Sequence, residues 1–330
     1  LLEFVVQKAE NKRKGPASGA FFLPSTDKNT PNTMQTVQTN PAPSGSDSEL
    51  RPLRVCIQGL PGAFHDIAAR FFFSGRQVEP LPALTFQDLV HQIESGEKAD
   101  LGLMAIENTL AGSLMANYKL LNLASLKITG EIFLRIKQNL MALPGQRIED
   151  LTEVHSHPIA IEQCREFFQA YPHIRLVEAE DTALAAFRIQ EKKLEGIGAI
   201  ASATAADLYG MEILAPGIET NKLNFTRFLV LERAQEARAV ADADKVSVHF
   251  ATGHSVGSLY KVLAVLAAYG VNLTKIQSAP IIGKPWEYMF YVDFVLEGSV
   301  GFEQAIEAIR PLTHELKILG TYRQGQLYED

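Results

Sequence analysis

The sequence predicts an α/β region followed by a smaller α+β unit, and three observations carry that expectation. Between residues 54 and 232, short apolar runs alternate with stretches of helical periodicity, as they do where strands and helices alternate. Between 245 and 325 the patterns follow the order β-α-β-β-α-β, which is the ferredoxin-like order. Residues 1–50 carry neither signature. From Ser25 to Ser48 they are rich in Thr, Asn, Pro, Ser and Gly, and such a segment buries too little apolar surface to offset its ordering entropy. The expected organisation is a disordered N-terminal arm over 1–50, an α/β domain over 51–235 and an α+β domain over 244–325.

Within the α/β region, 54–58 reads as a strand and 64–73 as a helix with Phe64, Ile67, Ala68 and Phe71 on its apolar side. Thr85 stands as N-cap before Phe86, Leu89, Val90 and Ile93, and Gly96 ends that helix. Residues 101–106 form an apolar, buried strand, and 127–143 holds two strand-like runs. A helix is expected over 158–169, a strand over 175–178, and a helix over 181–193 capped by Asp181. Further strands are expected over 197–200 and 225–231. In the C-terminal region, strands are expected over 246–251, 271–282, 287–296 and 315–320. The helices there are 256–269, ended by Gly270, and 302–310.

Composition excludes several classes of function. The chain has 330 residues, 46% hydrophobic and 21% charged, enough for two or three packed domains. A formal charge of −7 argues against nucleic acid as a partner, and an anionic ligand must be attracted by local groups. No apolar run reaches the length of a membrane span. Cys56 and Cys164 form neither a metal-ligand spacing nor a disulfide framework, so both read as reduced, buried thiols of a cytoplasmic protein. Lys12-Arg13-Lys14 is followed by no signal-peptide core, and Met34 is read as a candidate native start.

Chemistry concentrates in a few stretches. Asn224-Phe225-Thr226-Arg227-Phe228 leads into an apolar strand, with a hydroxyl and a guanidinium side by side. Neighbouring side chains of a strand point to opposite faces, so Thr226 and Arg227 share a site only where the backbone is irregular. Glu107-Asn108 stands where a strand ends. Asn108 offers both donor and acceptor to a substrate, or it forms a turn. Ser156 is either a site hydroxyl or a helix N-cap, and Gln163 lies two helical turns further on a similar face. His157 suggests a general base, but His-Pro at a strand end also reads as structural, and no Ser-His-Asp set accompanies it. Gly59-Leu60-Pro61-Gly62 follows a strand and opens a helix. It lacks the Gly-x-Gly-x-x-Gly dinucleotide fingerprint, which leaves anion binding by helix-end amides or a tight turn.

Taken in order with Asp181-Thr182-Ala183 and Gly198-Ala199-Ile200-Ala201-Ser202, these stretches resemble prephenate dehydratase over roughly residues 54 to 325. The resemblance implies two α/β lobes like a type II periplasmic binding protein, crossed near residues 135 and 210, with ligand in the cleft. It implies decarboxylative dehydration of prephenate to phenylpyruvate, with no metal and no cofactor. By position the family's catalytic residues fall on Asn108, Ser156, Gln163 and Thr226. Arg227, Glu107, Gly62, Ala63 and Phe64 are then expected to contact substrate. The family's hydroxyl at position 63 is missing, so its role must pass to a backbone amide or to His65.

The C-terminal unit resembles an ACT domain of the kind that binds phenylalanine. The matching residues are Gly257, Ser258 and Leu259 at a helix start, and Asn272 and Leu273 at the start of a strand. Gln277 and Ser278 stand in the family's Glu-Ser-Arg-Pro motif, which here reads Gln277-Ser278-Ala279-Pro280 and has lost one charge of each sign. The resemblance implies phenylalanine as effector and a homodimer or homotetramer. Two other readings remain at this stage: an arogenate dehydratase, and a non-catalytic amino-acid sensor or solute-binding protein.

Overall fold

The computed structural model describes residues 51–296 and 301–329, so the expected N-terminal arm lies outside the described residues. The first lobe is built from β1 (Leu53–Gln58), α1 (Phe64–Phe72), β2 (Val78–Ala83), α2 (Phe86–Ser95), β3 (Leu101–Asn108), β4 (Gly112–Ser113), α3 (Met115–Leu123) and β5 (Leu126–Arg135). The second lobe holds β6 (Asn139–Ala142), β7 (Glu153–Ser156), α4 (Pro158–Cys164), β8 (Arg175–Glu178), α5 (Thr182–Lys192), β9 (Ile197–Ala201), α6 (Ala203–Tyr209) and β10 (Glu212–Ala215). β11 (Phe225–Arg233) returns to the first lobe. The C-terminal unit comprises β12 (Lys245–Ala251), α7 (Ser258–Ala268), β13 (Val271–Pro280), β14 (Tyr288–Leu296), α8 (Phe302–Ile309) and β15 (His314–Tyr322), followed by β16 (Leu327–Tyr328).

The second lobe is a five-stranded sheet in the order β10-β6-β9-β7-β8. The other strands form one sheet in the order β13-β14-β12-β15-β5-β11-β3-β1-β2, with β4 on β3 and β16 on β5. The two-lobed α/β fold is therefore present, and a ferredoxin-like unit is fused to the first lobe through its sheet. β15 meets β5 at Gly320 and Ile128, where a Cβ on Gly320 would stand 2.1 Å from the Ile128 carbonyl oxygen. Only glycine permits that approach.

Local chemistry explains most boundaries. In α2 the Thr85 hydroxyl accepts from the Asp88 amide at 3.0 Å and Asp88 accepts from the Thr85 amide at 3.2 Å, a reciprocal cap. Gly96 then closes the helix in the left-handed region. β1 pairs in parallel with both neighbours, and Val55, Cys56 and Ile57 are wholly buried, as a two-sided strand requires. β2 escaped the sequence reading because Pro80 and Pro82 interrupt its pattern. It lies at the sheet edge, where missing amide donors are tolerated. The helix expected over 158–169 ends at Cys164, and a 3₁₀ turn over Phe167–Ala170 then buries Phe168. The chain returns to the first lobe between Ala215 and Phe225, later than residue 210, because β10 still belongs to the second sheet.

The C-terminal sheet has two distinct faces. Val246, Val248, Phe250, Val292 and Phe294 pack under α7 and α8. The alternating partners point the other way. Ala251, Met289 and Tyr291 join Tyr118 and Leu121 of α3 in the core of the first lobe. The C-terminal domain is thus packed on the lobe that carries β3 and β11.

Candidate active site

β3 and β11 run antiparallel, with Asn108 opposite Thr226 and Glu107 opposite Arg227. Asn108 is oriented by backbone donors. Its Oδ1 accepts from the amides of Leu110 at 3.0 Å and Ala111 at 2.9 Å, so that atom must be the carbonyl oxygen. Nδ2 is then the donor to Asn224 Oδ1 at 2.8 Å, Thr226 Oγ1 at 3.0 Å and the Phe225 carbonyl at 3.2 Å. Thr226 Oγ1 is therefore an acceptor. Its own proton has no hydrogen-bond partner among the described residues.

Gln163 reaches this cluster from α4 of the other lobe. Its Oε1 accepts from Asn224 Nδ2 at 2.8 Å, and its Nε2 stands 3.4 Å from both Asn108 Oδ1 and Asn224 Oδ1. Gln138, in the crossover, donates to Gln163 Oε1 at 3.4 Å. The cluster closes the seam between the lobes. A concavity of about 450 Å³ opens on the Gln163 side of it, lined by Leu110, Ile159, Gln163, Arg165, Glu166 and Asn221, but not by Asn108 or Thr226. Asn224 and Gln138 were not assigned from the sequence. Asn224 had a signal, since it immediately precedes the strand that carries Thr226, whereas Gln138 stands in a crossover with none.

The remaining expected site residues lie elsewhere. Ser156 is fully buried, and its hydroxyl donates to the Ile200 carbonyl at 2.6 Å, away from the cluster. The N-cap of α4 is His157, whose Nδ1 accepts from the Ile159 amide at 3.2 Å, so His157 is structural. The Gly62 and Ala63 amides and the Phe64 side chain are engaged within the protein. The Gly62 amide donates to Asp66 at 2.8 Å, the Ala63 amide donates to the Leu60 carbonyl at 2.9 Å, and Phe64 packs against the first-lobe core. This loop binds the other lobe instead. Ser202 donates to the Gly62 carbonyl and Tyr209 to the Pro61 carbonyl, both at 2.6 Å. Asp181 Oδ1 accepts from the Leu60 amide at 3.3 Å, and burial pushes its pKa up to about 6.

Arg227 and Glu107 also depart from the expectation. The register between β3 and β11 does shift next to Arg227, but the extra residue lies in β3, so β11 keeps its alternation. Arg227 accordingly faces away from Thr226. Its Nε bonds Glu131 at 2.6 Å, Nη1 bonds Asp293, and Nη2 donates to Tyr322 Oη at 3.1 Å. Burial disfavours the charge, but Asp293, Tyr322 and Glu131 outweigh burial and hold the guanidinium protonated. Glu107 pairs with Lys275 of β13 at 2.7 Å. Both groups are engaged with the C-terminal domain and not with a cleft.

His65 lies beside the cluster's supporting strand. Its Nε2 accepts from the Ala105 amide at 3.3 Å and its ring meets Phe228 edge-on at 4.8 Å. Burial, then the neighbouring His157, pushes its pKa down to about 3, so it is neutral at physiological pH. Among the described residues no group of three or more His, Cys, Asp or Glu is arranged to hold a metal, and no helix is long and apolar enough to cross a membrane.

The effector residues fall into two groups. Gly257, at φ +76°, opens α7, with Ser258 and Leu259 in its first turn. Gln277 and Ser278 lie toward the end of β13, whereas Asn272 and Leu273 lie at its start. Six strand residues span roughly 20 Å, so one chain does not bring all of them together. β13 is the edge strand at the C-terminal end of the sheet, opposite the β2 edge.

Known proteins share this architecture. The family model described as prephenate dehydratase matches residues 55–236. A bifunctional chorismate mutase/prephenate dehydratase of Enterobacter agglomerans is 33% identical over 276 residues, covering 82% of this chain and 70% of the relative. Arogenate dehydratase 1 of Petunia hybrida is 36% identical over 310 residues, covering 89% and 71%. Among solved structures, GqqA, described as a quorum quenching acylase, superposes with a TM-score of 0.73 at 31% identity, covering 82% of this chain and 98% of that one. The prephenate dehydratase of Arthrobacter aurescens in complex with L-Phe has the same fold, with a TM-score of 0.72 at 24% identity and coverage of 82% and 90%. With that family model spanning more than half of its length, the chain belongs to the prephenate dehydratase family of lyases.

Proposed function

We propose that the chain converts prephenate to phenylpyruvate, with Thr226 as the donor to the departing hydroxyl. The observation that carries this reading is the Asn108–Thr226 hydrogen bond, in which Oγ1 is the acceptor, so that its proton is left for substrate. Breaking the ring carbon–carboxylate bond releases carbon dioxide and sends an electron pair into the ring. The ring expels hydroxide and becomes aromatic. A threonine hydroxyl is too weak an acid to give up its proton, so it stabilises the developing hydroxide, an effect on the order of 10²–10³ in rate. The Asn108 amide donors are spent on the protein, whereas Gln138 and Gln163 make only long 3.4 Å donor contacts and Asn224 Nδ2 has one partner, so these three amides are the donors for the substrate's oxygens while Arg227 serves elsewhere.

Arogenate differs from prephenate by an amino group on the side chain, and a relative carries that name. The test gives purified protein both substrates and follows phenylpyruvate and phenylalanine formation. Turnover of prephenate supports the proposal, and turnover of arogenate alone replaces it. Acyl transfer is disfavoured on the geometry. Thr226 Oγ1 faces an amide donor and Ser156 Oγ donates to a carbonyl, so neither meets a base.

Phenylalanine is the proposed effector, held by the ACT-like C-terminal domain. The free β13 edge supports a homodimer, or a homotetramer built from it. Antiparallel pairing of two such edges would bring Asn272 of one copy toward Gln277 and Ser278 of the other. A cytoplasmic location suits Cys56 and Cys164, both buried and unpaired.

A further inference from the structure

Asn108 and Thr226 each stand next to a charged residue that leaves the site and enters the C-terminal domain. Glu107, beside Asn108, pairs with Lys275 at 2.7 Å. Arg227, beside Thr226, pairs with Asp293. The two sites of attachment are themselves neighbours, because Lys275 of β13 lies opposite Asp293 of β14. A closed circuit results. Asn108 faces Thr226, Glu107 faces Arg227, and Lys275 faces Asp293, with ion pairs joining the last two rows.

We infer that Glu107 and Arg227 are positioning residues, through which the C-terminal domain sets the Asn108–Thr226 hydrogen bond. Side chains on a strand are rigidly coupled to their neighbours' directions, since successive residues alternate faces at fixed rise. A shift of β13 against β14 moves Lys275 and Asp293. It turns Glu107 and Arg227, and it changes how Asn108 addresses Thr226. The buried end of the circuit is stiff. Lys245 bonds Glu131 at 2.8 Å, while Ser247 bonds Asp293 at 2.6 Å and Tyr322 at 2.5 Å. At the other end only Glu107 meets water, its side chain being 37% exposed; Lys275 is 8% exposed, donates to Ser113 Oγ at 2.8 Å and lies 5.6 Å from the Tyr118 ring centre. β13 also carries the proposed effector residues Asn272, Leu273, Gln277 and Ser278 on either side of Lys275. Effector binding there would act on this circuit.

The inference rests on Thr226 as donor, and its test separates the two. Asp293 is deeply buried against Arg227, and removing one partner of such a pair risks unfolding. Lys275→Met is the better probe, because it keeps the apolar stem and leaves Glu107 half in water. Prephenate turnover is measured for wild type, Lys275→Met, Lys275→Arg, Glu107→Gln, the Lys275→Met/Glu107→Gln double variant and Thr226→Val. Expected are a kcat lowered about five- to tenfold in Lys275→Met with KM little changed, recovery in Lys275→Arg, and a double variant no worse than the singles. Titration calorimetry measures phenylalanine binding independently of activity. Lys275→Met is expected to bind phenylalanine at wild-type concentrations while its turnover responds at least about fivefold less. A folded Lys275→Met with wild-type kcat and wild-type phenylalanine response overturns the inference, provided that Thr226→Val is impaired. Near-normal Thr226→Val removes the donor reading itself.

Discussion

Thr226 and Arg227 are consecutive residues that serve opposite sides of one strand. Thr226 Oγ1 receives a hydrogen bond from Asn108 in the seam between the lobes, and Arg227 is buried between Glu131 and Asp293 on the side of the C-terminal domain. The pair therefore does not act as a joint hydroxyl and guanidinium on one substrate. Thr226 faces the seam, where the proposed chemistry takes place, and Arg227 anchors the strand that presents it.

The orientation of Asn108 makes an isosteric test available. Asn108→Asp keeps an oxygen for the Leu110 and Ala111 amides but replaces the donor to Thr226 by an acceptor. The Thr226 proton then turns toward that carboxylate and is lost to substrate. We expect kcat for prephenate to fall by on the order of 10²-fold or more, with the folded state retained by circular dichroism. Activity close to wild type would show that the direction of this bond is immaterial.

Gln163 bridges the lobes through long contacts at 3.4 Å and a shorter one at 2.8 Å to Asn224. A neutral hydrogen bond is worth about 0.5–1.5 kcal/mol, or up to roughly tenfold in binding. Gln163→Leu should raise KM for prephenate by up to about tenfold, with a smaller loss in kcat. Initial-rate kinetics decides this, and an unchanged KM would place Gln163 outside substrate contact.

Gly59 has a φ of +92°, and a Cβ there would stand 2.5 Å from Asp181 Oδ2. Gly59→Ala therefore combines backbone strain with displacement of the carboxylate that joins the lobes. A loss of roughly 1–3 kcal/mol in stability is expected, visible as a lower Tm. Wild-type stability would mean that the loop and Asp181 yield freely.

His65 gives stability a defined pH dependence. Its folded-state pKa lies at about 3, below the ordinary value of 6.5. The unfolded chain takes up a proton as pH falls through 6.5 and the folded chain does not. The contribution is complete above 6.5 and is lost progressively as pH falls from there toward about 3. Between about pH 7.5 and about pH 5, Tm should fall less in His65→Gln than in wild type. His157, also depressed by burial, keeps some slope in the variant. Identical slopes in the two proteins would mean that His65 is protonated without cost.

Much of the fold was legible because its signals are local. Thr85, Asp181 and Gly96 mark helix ends by hydrogen bonds that any chain of this sequence makes, and the order of strands and helices beyond residue 245 needed only periodicity. β2 was hidden by Pro80 and Pro82, and β10 by its brevity. The site was legible in part. Asn108, Gln163 and Thr226 converge, but Ser156, Gly62 and Ala63 are spent on internal hydrogen bonds. The destinations of Glu107 and Arg227 depend on Lys275 and Asp293, 66 residues or more further along the chain, which no local pattern describes. Strand alternation did carry the warning that Thr226 and Arg227 part company.

The central claim is that the Thr226 hydroxyl, oriented by Asn108, assists departure of hydroxide from prephenate. The most direct measurement is kcat for phenylpyruvate formation by Thr226→Val, which keeps the shape and removes the hydroxyl, with Thr226→Ser beside it. The account predicts a fall on the order of 10²–10³ for Thr226→Val at wild-type stability, and substantial activity for Thr226→Ser. A Thr226→Val enzyme that turns over prephenate at nearly the wild-type rate would contradict it.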